Sequence, residues 1–459
     1  MAENTACEHS LELEVKNELL EFSEENCTAN KQSSEPEEEK STDNIKTYEL
    51  EVENELRVLV GGDYSDVKVL LASGLAEIYG TEMELNKEYS LLPYSTISIF
   101  TWHGCVINVS GNPEAACVVK DSAMILNVIL HAKLQERRLR AEMENKKGPV
   151  ILVVGPNDVD KSSLCRLLLN YAVRLGQHPT FIDLDVGQTS ISLPSSFGVL
   201  TVKKPADIIT GFGDQALKVY QFGYKSPWQN ITLYFLLLQR LGLTLRSDLN
   251  QSDQNVKTSG VIISGCDWSE CDILHHGYNA ITLVAMHFEI DILCVLQEEP
   301  LYLQLKEEMS SSMEIIFIPE VGGFERNEIV KSKSREACMR QYFFGLNNQL
   351  GSYEYVVQYS DIKIFEVVAR SVKKYTRFLS DIKKNDAELR PIELSSKLIG
   401  QILGLSCADD VTEDLMYKEV VGFICISKVD METKTISVIS PQPGPLPKKI
   451  LLLGDTKLT

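Results

Sequence analysis

The segment from Pro149 to Leu175 constrains the fold most strongly, because it joins an apolar run to a glycine-lysine loop and an amphipathic helix. Residues 149–154 have the composition of a buried strand, and apolar residues recur at helical spacing after Lys161. Between them, Gly155 and four further residues precede the triplet Asp160-Lys161-Ser162. Strand, loop and helix in this order are the context that a P-loop requires.

A P-loop binds phosphates by directing backbone N–H groups at their oxygens from the start of a helix, where the helix dipole also favours negative charge. In such a loop Lys161 reaches the outer phosphates and the Ser162 hydroxyl holds Mg²⁺. The sequence therefore predicts a site for ATP with Mg²⁺. The predicted nucleotide-binding residues are Gly155, Pro156, Asn157, Asp158, Val159, Asp160, Lys161, Ser162 and Ser163.

One residue of this loop departs from the pattern, since Asp160 stands where a P-loop has glycine before its lysine. Asp160 adds a Cβ and a carboxylate where backbone and phosphate must approach closely. Two like charges ~4 Å apart repel by about 1 kcal/mol in water and ~4 kcal/mol at an effective dielectric constant of 20. The sequence thus predicts a nucleotide site that Asp160 weakens.

Carboxylates follow the next predicted strand, Thr180–Asp183, in the stretch Asp183-Leu184-Asp185-Val186-Gly187-Gln188. Carboxyl ends of neighbouring parallel strands meet at one edge of a sheet, so these side chains are expected near the Mg²⁺ of the P-loop. Asp185 is the candidate metal ligand and proton acceptor, and Gln188 the candidate that orients water or substrate. An Asp-x-Asp pair alone is more often a turn former.

Two further features have a functional and a structural interpretation. Trp268, just past the predicted strand Gly260–Ser264, stacks on a nucleobase or is a partly buried packing residue. Arg335 and Arg340 belong to a basic helix that is either a lid acting on the transferred phosphate or a solvated helix face.

Strand and helix patterns divide the chain into an α/β protein with a central P-loop domain of mostly parallel sheet and small β domains on either side. Alternating strands and helices in the middle predict the parallel sheet, and short strands separated by turns predict the flanking β domains. The predicted units are an acidic disordered head (1–46), an N-terminal β domain (47–120), a linker helix (121–148), a P-loop domain (149–351) and a C-terminal β domain (352–459).

Charge and cysteine content exclude several classes of protein. The formal net charge is −20, which argues against a broad basic surface for coating nucleic acid. The head has the acidic, aromatic-poor composition of disordered segments. Eleven cysteines at non-repeating spacings predict a reducing compartment, with buried thiols at Cys117, Cys294 and Cys425. We expect no signal peptide and no membrane span.

The chain resembles the family of polyribonucleotide 5′-hydroxyl kinases that are subunits of the pre-mRNA cleavage factor. The resemblance runs from about Tyr48 to about Leu453 and leaves out only the acidic head. It rests on the segments Gly74-Leu75-Ala76-Glu77-Ile78-Tyr79-Gly80-Thr81-Glu82, Phe100-Thr101-Trp102-His103-Gly104-Cys105, Cys165-Arg166-Leu167-Leu168-Leu169-Asn170-Tyr171-Ala172-Val173-Arg174-Leu175-Gly176, Leu184-Asp185-Val186-Gly187-Gln188, Tyr342-Phe343-Phe344-Gly345 and Ser440-Pro441-Gln442-Pro443-Gly444-Pro445-Leu446-Pro447.

The resemblance implies a transferase that moves the ATP γ-phosphate to RNA 5′-hydroxyl ends. It implies a place in the nucleus, in pre-mRNA 3′-end cleavage and polyadenylation and in tRNA splicing, with cleavage factor subunits and the tRNA splicing endonuclease as partners. In the family's terms Asp185 assists the attacking hydroxyl, Trp268 clamps the RNA end, and Arg335 or Arg340 are lid arginines. Glu55 matches a residue through which the N-terminal domain contacts adenine.

Departures from the family pattern leave a second hypothesis from another class. Besides Asp160, Thr96 stands where the family has a lysine near the adenine, and residues 224–228 differ from the family's Thr-Thr-Pro-Gly segment. The first hypothesis is an RNA 5′-hydroxyl kinase of reduced activity. The alternative is a catalytically inactive kinase-fold scaffold of the mRNA cleavage complex.

Overall fold

The computed structural model describes residues 44–62, 66–156, 161–213, 215–266, 274–309, 313–319, 324, 328–345, 351–369 and 387–458. Its helices are α1 (Met124–Met143), α2 (Lys161–Arg174), α3 (Ile231–Gln251), α4 (Gln254–Ser259), α5 (Leu274–Phe288), α6 (Glu299–Met309) and α7 (Glu328–Phe344).

Residues 45–119 form a β-sandwich of two antiparallel sheets. Its strands are β1 (Ile45–Leu50), β2 (Glu55–Leu59), β3 (Lys68–Gly74), β4 (Glu77–Ile78), β5 (Thr81–Glu82), β6 (Glu88–Ser90), β7 (Thr96–Phe100), β8 (Cys105–Ser110) and β9 (Ala115–Val119). The sheet orders are β1-β8-β3-β6 and β5-β4-β7-β2-β9. Alternate residues of β8 point inward, and Ile107 packs with Leu56 and Ile99 of the other sheet in a common core.

Helix α1 leads from the sandwich into the central domain and packs on α2 and α4. It buries Leu130 and Leu134, and also Arg138, whose Nε donates to the carbonyl oxygen of Ser259 at 2.9 Å. The helix is therefore a packed element of the central domain and not only a connection.

The central sheet holds five parallel strands in the order β16-β15-β10-β14-β11, followed by the antiparallel β12 and β13. These strands are β10 (Val150–Val154), β11 (Thr180–Asp183), β12 (Ser196–Thr201), β13 (Leu217–Gln221), β14 (Val261–Ser264), β15 (Ile292–Leu296) and β16 (Glu314–Ile318). Every residue of β10 and β15 is buried because helices cover both faces of the sheet, which explains their unbroken apolar sequences.

The C-terminal strands extend this central sheet. Two residue pairs, Val219 with Val420 and Tyr220 with Glu419, join β13 to β21 in antiparallel register. The sheet then continues β21-β20-β23-β18-β19, and β22 bridges β21 and β17. The remaining strands are β17 (Tyr353–Gln358), β18 (Lys363–Ala369), β19 (Ala387–Pro391), β20 (Gln401–Ser406), β21 (Glu419–Asp430), β22 (Thr435–Ser440) and β23 (Ile450–Lys457).

The predicted fold class, a central α/β P-loop domain between β-rich ends, is confirmed. One cysteine prediction is wrong: Cys117 lies exposed on β9 at the edge of its sheet, while Cys294 and Cys425 are buried. No helix in the described ranges is long and apolar enough to span a membrane.

Candidate functional site

The P-loop lies at the carboxyl edge of the central sheet, where the direction of the chain connections reverses. After β10 the chain crosses through α2 to β11 on one side, and after β14 it crosses through α5 to β15 on the other. In open α/β sheets ligands bind at such a switch point. Gly155 and Pro156 lie there, whereas the predicted site residues Asn157, Asp158, Val159 and Asp160 fall outside the described residues.

Lys161 begins helix α2 and turns its side chain back into the loop. Its Nζ donates to the carbonyl oxygens of Gly155 at 3.1 Å and Pro156 at 2.6 Å, and the residue is only 6% exposed. The ammonium group is thus held beside the first two residues of the loop. Ser162 and Ser163 follow in the first turn of α2, both partly buried.

Asp183 and Asp185 lie at the carboxyl end of β11. Asp183 ends the strand opposite Ser264 of β14 and is fully buried, and burial together with the neighbouring Asp185 raises its pKa to about 6. Asp185 is 7% exposed, and its Oδ1 accepts hydrogen bonds from the backbone N–H groups of Gly187 at 3.0 Å and Gln188 at 2.9 Å. The two carboxylates therefore differ in surroundings although only one residue separates them.

The charges of the lysine and of both carboxylates act on two buried thiols at this edge of the sheet. Burial and the charge of Asp185 raise the pKa of the Cys266 thiol well above its usual range, and Lys161 acts on the same thiol in the opposite direction. Burial and the charge of Asp183 likewise raise the pKa of the Cys165 thiol, against which Lys161 again acts. One cation and two carboxylates therefore lie at the carboxyl edge of strands β10, β14 and β11, where they influence the same buried thiols.

The other predicted site residues lie on separate elements. Arg335 is partly buried and Arg340 is exposed on α7, whose last turns bury Met339 and Phe343 against the C-terminal sheet. Trp268 falls outside the described residues.

Glu55 lies in β2 of the sandwich, where its carboxylate accepts hydrogen bonds from Arg57 Nε at 2.7 Å and from the Ser122 hydroxyl. Thr96 is on β7, opposite Leu59 at the other end of β2. Lys161 and Asp185 thus lie at the carboxyl edge of the central sheet, and Glu55 lies in the sandwich, bonded to Arg57 and Ser122.

Three residues of this site were not predicted from the sequence. Tyr234 of α3 and Cys266 both hydrogen-bond the carbonyl oxygen of Leu184, at 3.2 and 2.6 Å, and so fix the backbone just before Asp185. Ser190 binds the Asp183 carboxylate from the far side of the loop. No local pattern signals these contacts, because the partners are seven or more residues apart in the sequence.

A helix starting with lysine after a buried strand, at the switch point of a parallel sheet and beside two carboxylates, defines a protein of the P-loop nucleotide-binding class. Three family models together match most of the chain. They are described as the mRNA cleavage and polyadenylation factor CLP1 P-loop (155–345), the N-terminal beta-sandwich domain of polyadenylation factor (49–141) and pre-mRNA cleavage complex II protein Clp1 (350–459). The chain belongs to the Clp1 family.

Curated relatives agree with this assignment over nearly their full length. The human polyribonucleotide 5′-hydroxyl-kinase Clp1 is 38% identical over 414 residues, which are 89% of this chain and 96% of the relative. The Protein CLP1 homolog of Anopheles gambiae is 37% identical over 410 residues, again 89% of this chain and 96% of the relative. The resemblance seen in the sequence is therefore confirmed.

Two solved structures share the fold. One, of Clp1p with Pcf11p, addresses their extended interface and the structural basis for ATP loss in a glycine-to-arginine point mutant. It matches with a TM-score of 0.78 at 21% identity, over 91% of this chain and 99% of that chain. A wild-type Clp1p–Pcf11p complex matches with a TM-score of 0.77 at 21% identity, over 90% and 98%.

Proposed function

We propose that this protein transfers the γ-phosphoryl group of ATP to the 5′-hydroxyl of RNA ends. Its relatives named polyribonucleotide 5′-hydroxyl-kinase align over nearly their full length. The observation that carries the proposal is that Lys161, held by the carbonyl oxygens of Gly155 and Pro156 after β10, and Asp185, two residues after β11, lie at the same carboxyl edge of the parallel sheet. A phosphate-binding cation and a carboxylate beside it are the two groups that phosphoryl transfer to a hydroxyl requires.

Asp185 suits the role of proton acceptor for the attacking hydroxyl. Its Oδ1 is occupied by the N–H groups of Gly187 and Gln188, while its Oδ2 makes no hydrogen bond with the described part of the chain. One carboxylate oxygen is therefore fixed and the other is available to an incoming O–H group. Gln188, whose backbone is held by the same carboxylate, is placed beside that hydroxyl.

The residues at this edge also fit Mg²⁺. Magnesium prefers oxygen ligands, keeps several waters and usually takes only one or two protein groups beside the phosphates. Ser162, in the first turn of α2, and Asp185, just after β11, would supply such oxygens. Bound magnesium would neutralise charge on the transferred phosphate.

Four further residues take the roles that the family pattern gives them. Arg335 and Arg340 on α7 provide positive charge for the transferred phosphate, and Trp268 stacks on the first base of the RNA. Glu55 contacts the adenine, which requires its bonds to Arg57 and Ser122 to leave an edge of the carboxylate accessible. These assignments predict loss of RNA or nucleotide affinity in the corresponding alanine variants.

The proposed setting is the nucleus, in pre-mRNA 3′-end cleavage and polyadenylation and in tRNA splicing. Structures of family members contain Pcf11p, and we propose an equivalent cleavage factor subunit as partner here. The tRNA splicing endonuclease is the proposed partner in the second process.

Asp160 is proposed to weaken ATP binding without removing it. A loss of about 1–4 kcal/mol from like-charge repulsion raises the ATP dissociation constant by roughly 5- to 1,000-fold. ATP retention in a solved family member is sensitive to a single glycine replacement. Titration with Mg-ATP, followed by thermal shift and by phosphorylation of a 5′-hydroxyl oligoribonucleotide, tests this in the natural protein and in Asp160→Gly.

We expect Asp160→Gly to bind ATP at least about fivefold more tightly and to phosphorylate RNA faster. The matched control combines Asp160→Gly with Lys161→Ala, which should abolish both effects because it removes the phosphate-binding cation. Cooperative melting without any thermal shift or product at millimolar ATP, in both the natural protein and Asp160→Gly, would contradict the kinase proposal and favour a scaffold.

A further inference from the structure

We propose that Asp183 is the positioning residue of this site: it holds the loop that carries Asp185 and Gln188, and through that loop it sets the placement of helix α7. The proposal rests on the kinase function proposed above, because Asp185 and the arginines of α7 are the groups to be positioned. The loop in question, here called the acceptor loop, comprises residues 184–193.

Both oxygens of the Asp183 carboxylate bind the acceptor loop. At one end of the loop, Oδ1 accepts a hydrogen bond from the backbone N–H of Asp185 at 3.1 Å. Further along, Oδ2 accepts from Ser190 through its backbone N–H at 2.6 Å and its hydroxyl at 2.7 Å, and from the Thr189 hydroxyl at 3.2 Å. A single buried side chain therefore ties both parts of the loop to the end of β11.

Burial, together with these four bonds, keeps Asp183 from direct contact with the reacting groups. Three donors contact Oδ2, which has only two lone-pair sites, and one contacts Oδ1. Asp183 has no exposed surface, whereas Asp185 is 7% exposed and its Oδ2 makes no hydrogen bond with the residues that the structure describes. The two carboxylates thus have different roles. Asp185 contacts the reacting groups, and Asp183 fixes the backbone from which Asp185 projects.

The acceptor loop continues from Asp183 to helix α7. The hydroxyls of Thr189 and Ser192 are 2.9 Å apart, and the backbone N–H of Ser192 donates to the Thr189 hydroxyl at 3.1 Å. The Cys338 thiol of α7 lies 3.9 Å from the carbonyl oxygen of Ser192. The end of the loop is therefore in contact with the helix that carries Arg335 and Arg340.

Apolar packing strengthens this contact. Leu193, the last residue of the acceptor loop, shares one buried cluster with Met339 and Phe343 of α7. Because packed side chains shift together, a change at Asp183 that loosens the loop moves Asp185 on one side and α7 on the other. Misplacing a reacting group by about 1 Å can cost roughly 100-fold in rate.

The variants Asp183→Asn and Ser190→Ala test this proposal. An asparagine has one acceptor oxygen and one NH₂ group, so it can hold only one end of the acceptor loop. Ser190→Ala removes one donor and keeps the buried carboxylate, which makes it the milder change. The control is Asp430→Asn, since Asp430 Oδ1 caps a turn in the same way, from Glu432 N at 2.8 Å and Thr433 N at 3.0 Å, in a hairpin of the C-terminal sheet.

We expect Asp183→Asn to lower kcat for RNA phosphorylation about 100-fold, with the dissociation constant for ATP changed less than about twofold because the P-loop is untouched. Amide hydrogen exchange should accelerate in residues 184–193 and 328–344 and nowhere else. Asp183→Asn combined with Ser190→Ala should resemble Asp183→Asn alone, because both changes act through one turn. Asp430→Asn should leave kcat unaltered, and it should leave hydrogen exchange in both segments unaltered.

Three outcomes would overturn the proposal. Unchanged kcat in Asp183→Asn, or unchanged exchange in residues 328–344, would show that Asp183 does not position Asp185 or α7. A large rise in the Mg²⁺ concentration needed for half-maximal activity, with exchange unaltered, would make Asp183 a metal ligand instead. If the natural protein transfers no phosphate, the kinase proposal fails, and the exchange measurement still decides whether Asp183 holds the loop and α7.

Discussion

Replacing Asn170 with alanine is predicted to loosen the contact between the N-terminal β-sandwich and the P-loop helix. Asn170 lies on α2 with no exposed surface. Its Nδ2 donates to the carbonyl oxygen of Tyr79 at 2.7 Å and to the Thr81 hydroxyl at 3.1 Å, both in the sandwich. Its Oδ1 accepts from the backbone N–H of Ala206 at 2.9 Å. One amide side chain therefore joins three segments of the chain.

The magnitude follows from these three buried hydrogen bonds. Each contributes about 1 kcal/mol net, and alanine leaves their partners without this side chain, which gives a loss of about 3 kcal/mol. Alanine forms helices better than asparagine by about 0.6 kcal/mol, which offsets part of the loss. The expected destabilisation is therefore about 2–3 kcal/mol. Arg174 bridges the same two domains through Glu77 and Glu82, but it is partly exposed and stabilises the contact less.

Hydrogen exchange of residues 76–83 measures this contact, because these residues form β4, β5 and the turn that faces α2. A loss of about 2 kcal/mol raises the local exchange rate roughly 30-fold. The matched control is Asn108→Ala, since Asn108 accepts one hydrogen bond, from the exposed Thr47 hydroxyl at 3.0 Å. Equal effects of the two substitutions, or a change below about 1 kcal/mol for Asn170→Ala, would refute this reasoning.

Three other variants test neighbouring parts of the structure. Burial lowers the pKa of His131 to about 4, so the free energy of unfolding should fall as pH drops from about 6.5 towards 4, and melts of His131→Gln at pH 7 and 5 should lose that part of the acid sensitivity. Tyr342→Phe removes the oxygen that accepts from the Phe423 backbone N–H at 2.9 Å, and thermal unfolding should show a loss of about 1–2 kcal/mol. Gly80→Ala, at φ of +80° and with its Cβ 3.0 Å from the Tyr171 ring, should lower the melting temperature and accelerate exchange in β4 and β5.

Local features of the sequence were sufficient to predict much of the fold. The strand Thr180–Asp183 was predicted with the bounds that the structure has, and the predicted helix after Lys161 is present as α2. Both signals are contained within a few residues, as apolar runs or helical periodicity. The junction of β13 with β21 was not predicted, because it pairs Val219 with Val420, about two hundred residues apart, and a pattern within one strand does not identify its neighbour.

The candidate site, too, was predicted only where the signal is local in the sequence. Lys161 and Asp185 could be selected because each follows a predicted buried strand, and the carboxyl ends of parallel strands share one edge. Their assignment as site residues stays a prediction, as do those of Gln188, Arg335 and Arg340. The helical pattern gave no sign of the buried Asn170, because that residue is polar and its burial comes from the domain packed against α2.

The environments of Asp183 and Asp185 show why residue type and spacing alone do not assign roles within a site. In the sequence the two aspartates form one Asp-x-Asp pair, with Asp183 at the end of the predicted strand and Asp185 two residues later. In the structure one is enclosed by four donors and the other keeps an oxygen available, and this difference arises from how Thr189 and Ser190 fold back on β11. The chemistry of the edge is therefore set by the loop that follows the motif as much as by the motif itself. By the same argument Asp160, which is one residue of the phosphate loop, must be judged by what it does to nucleotide affinity and not by its departure from a pattern.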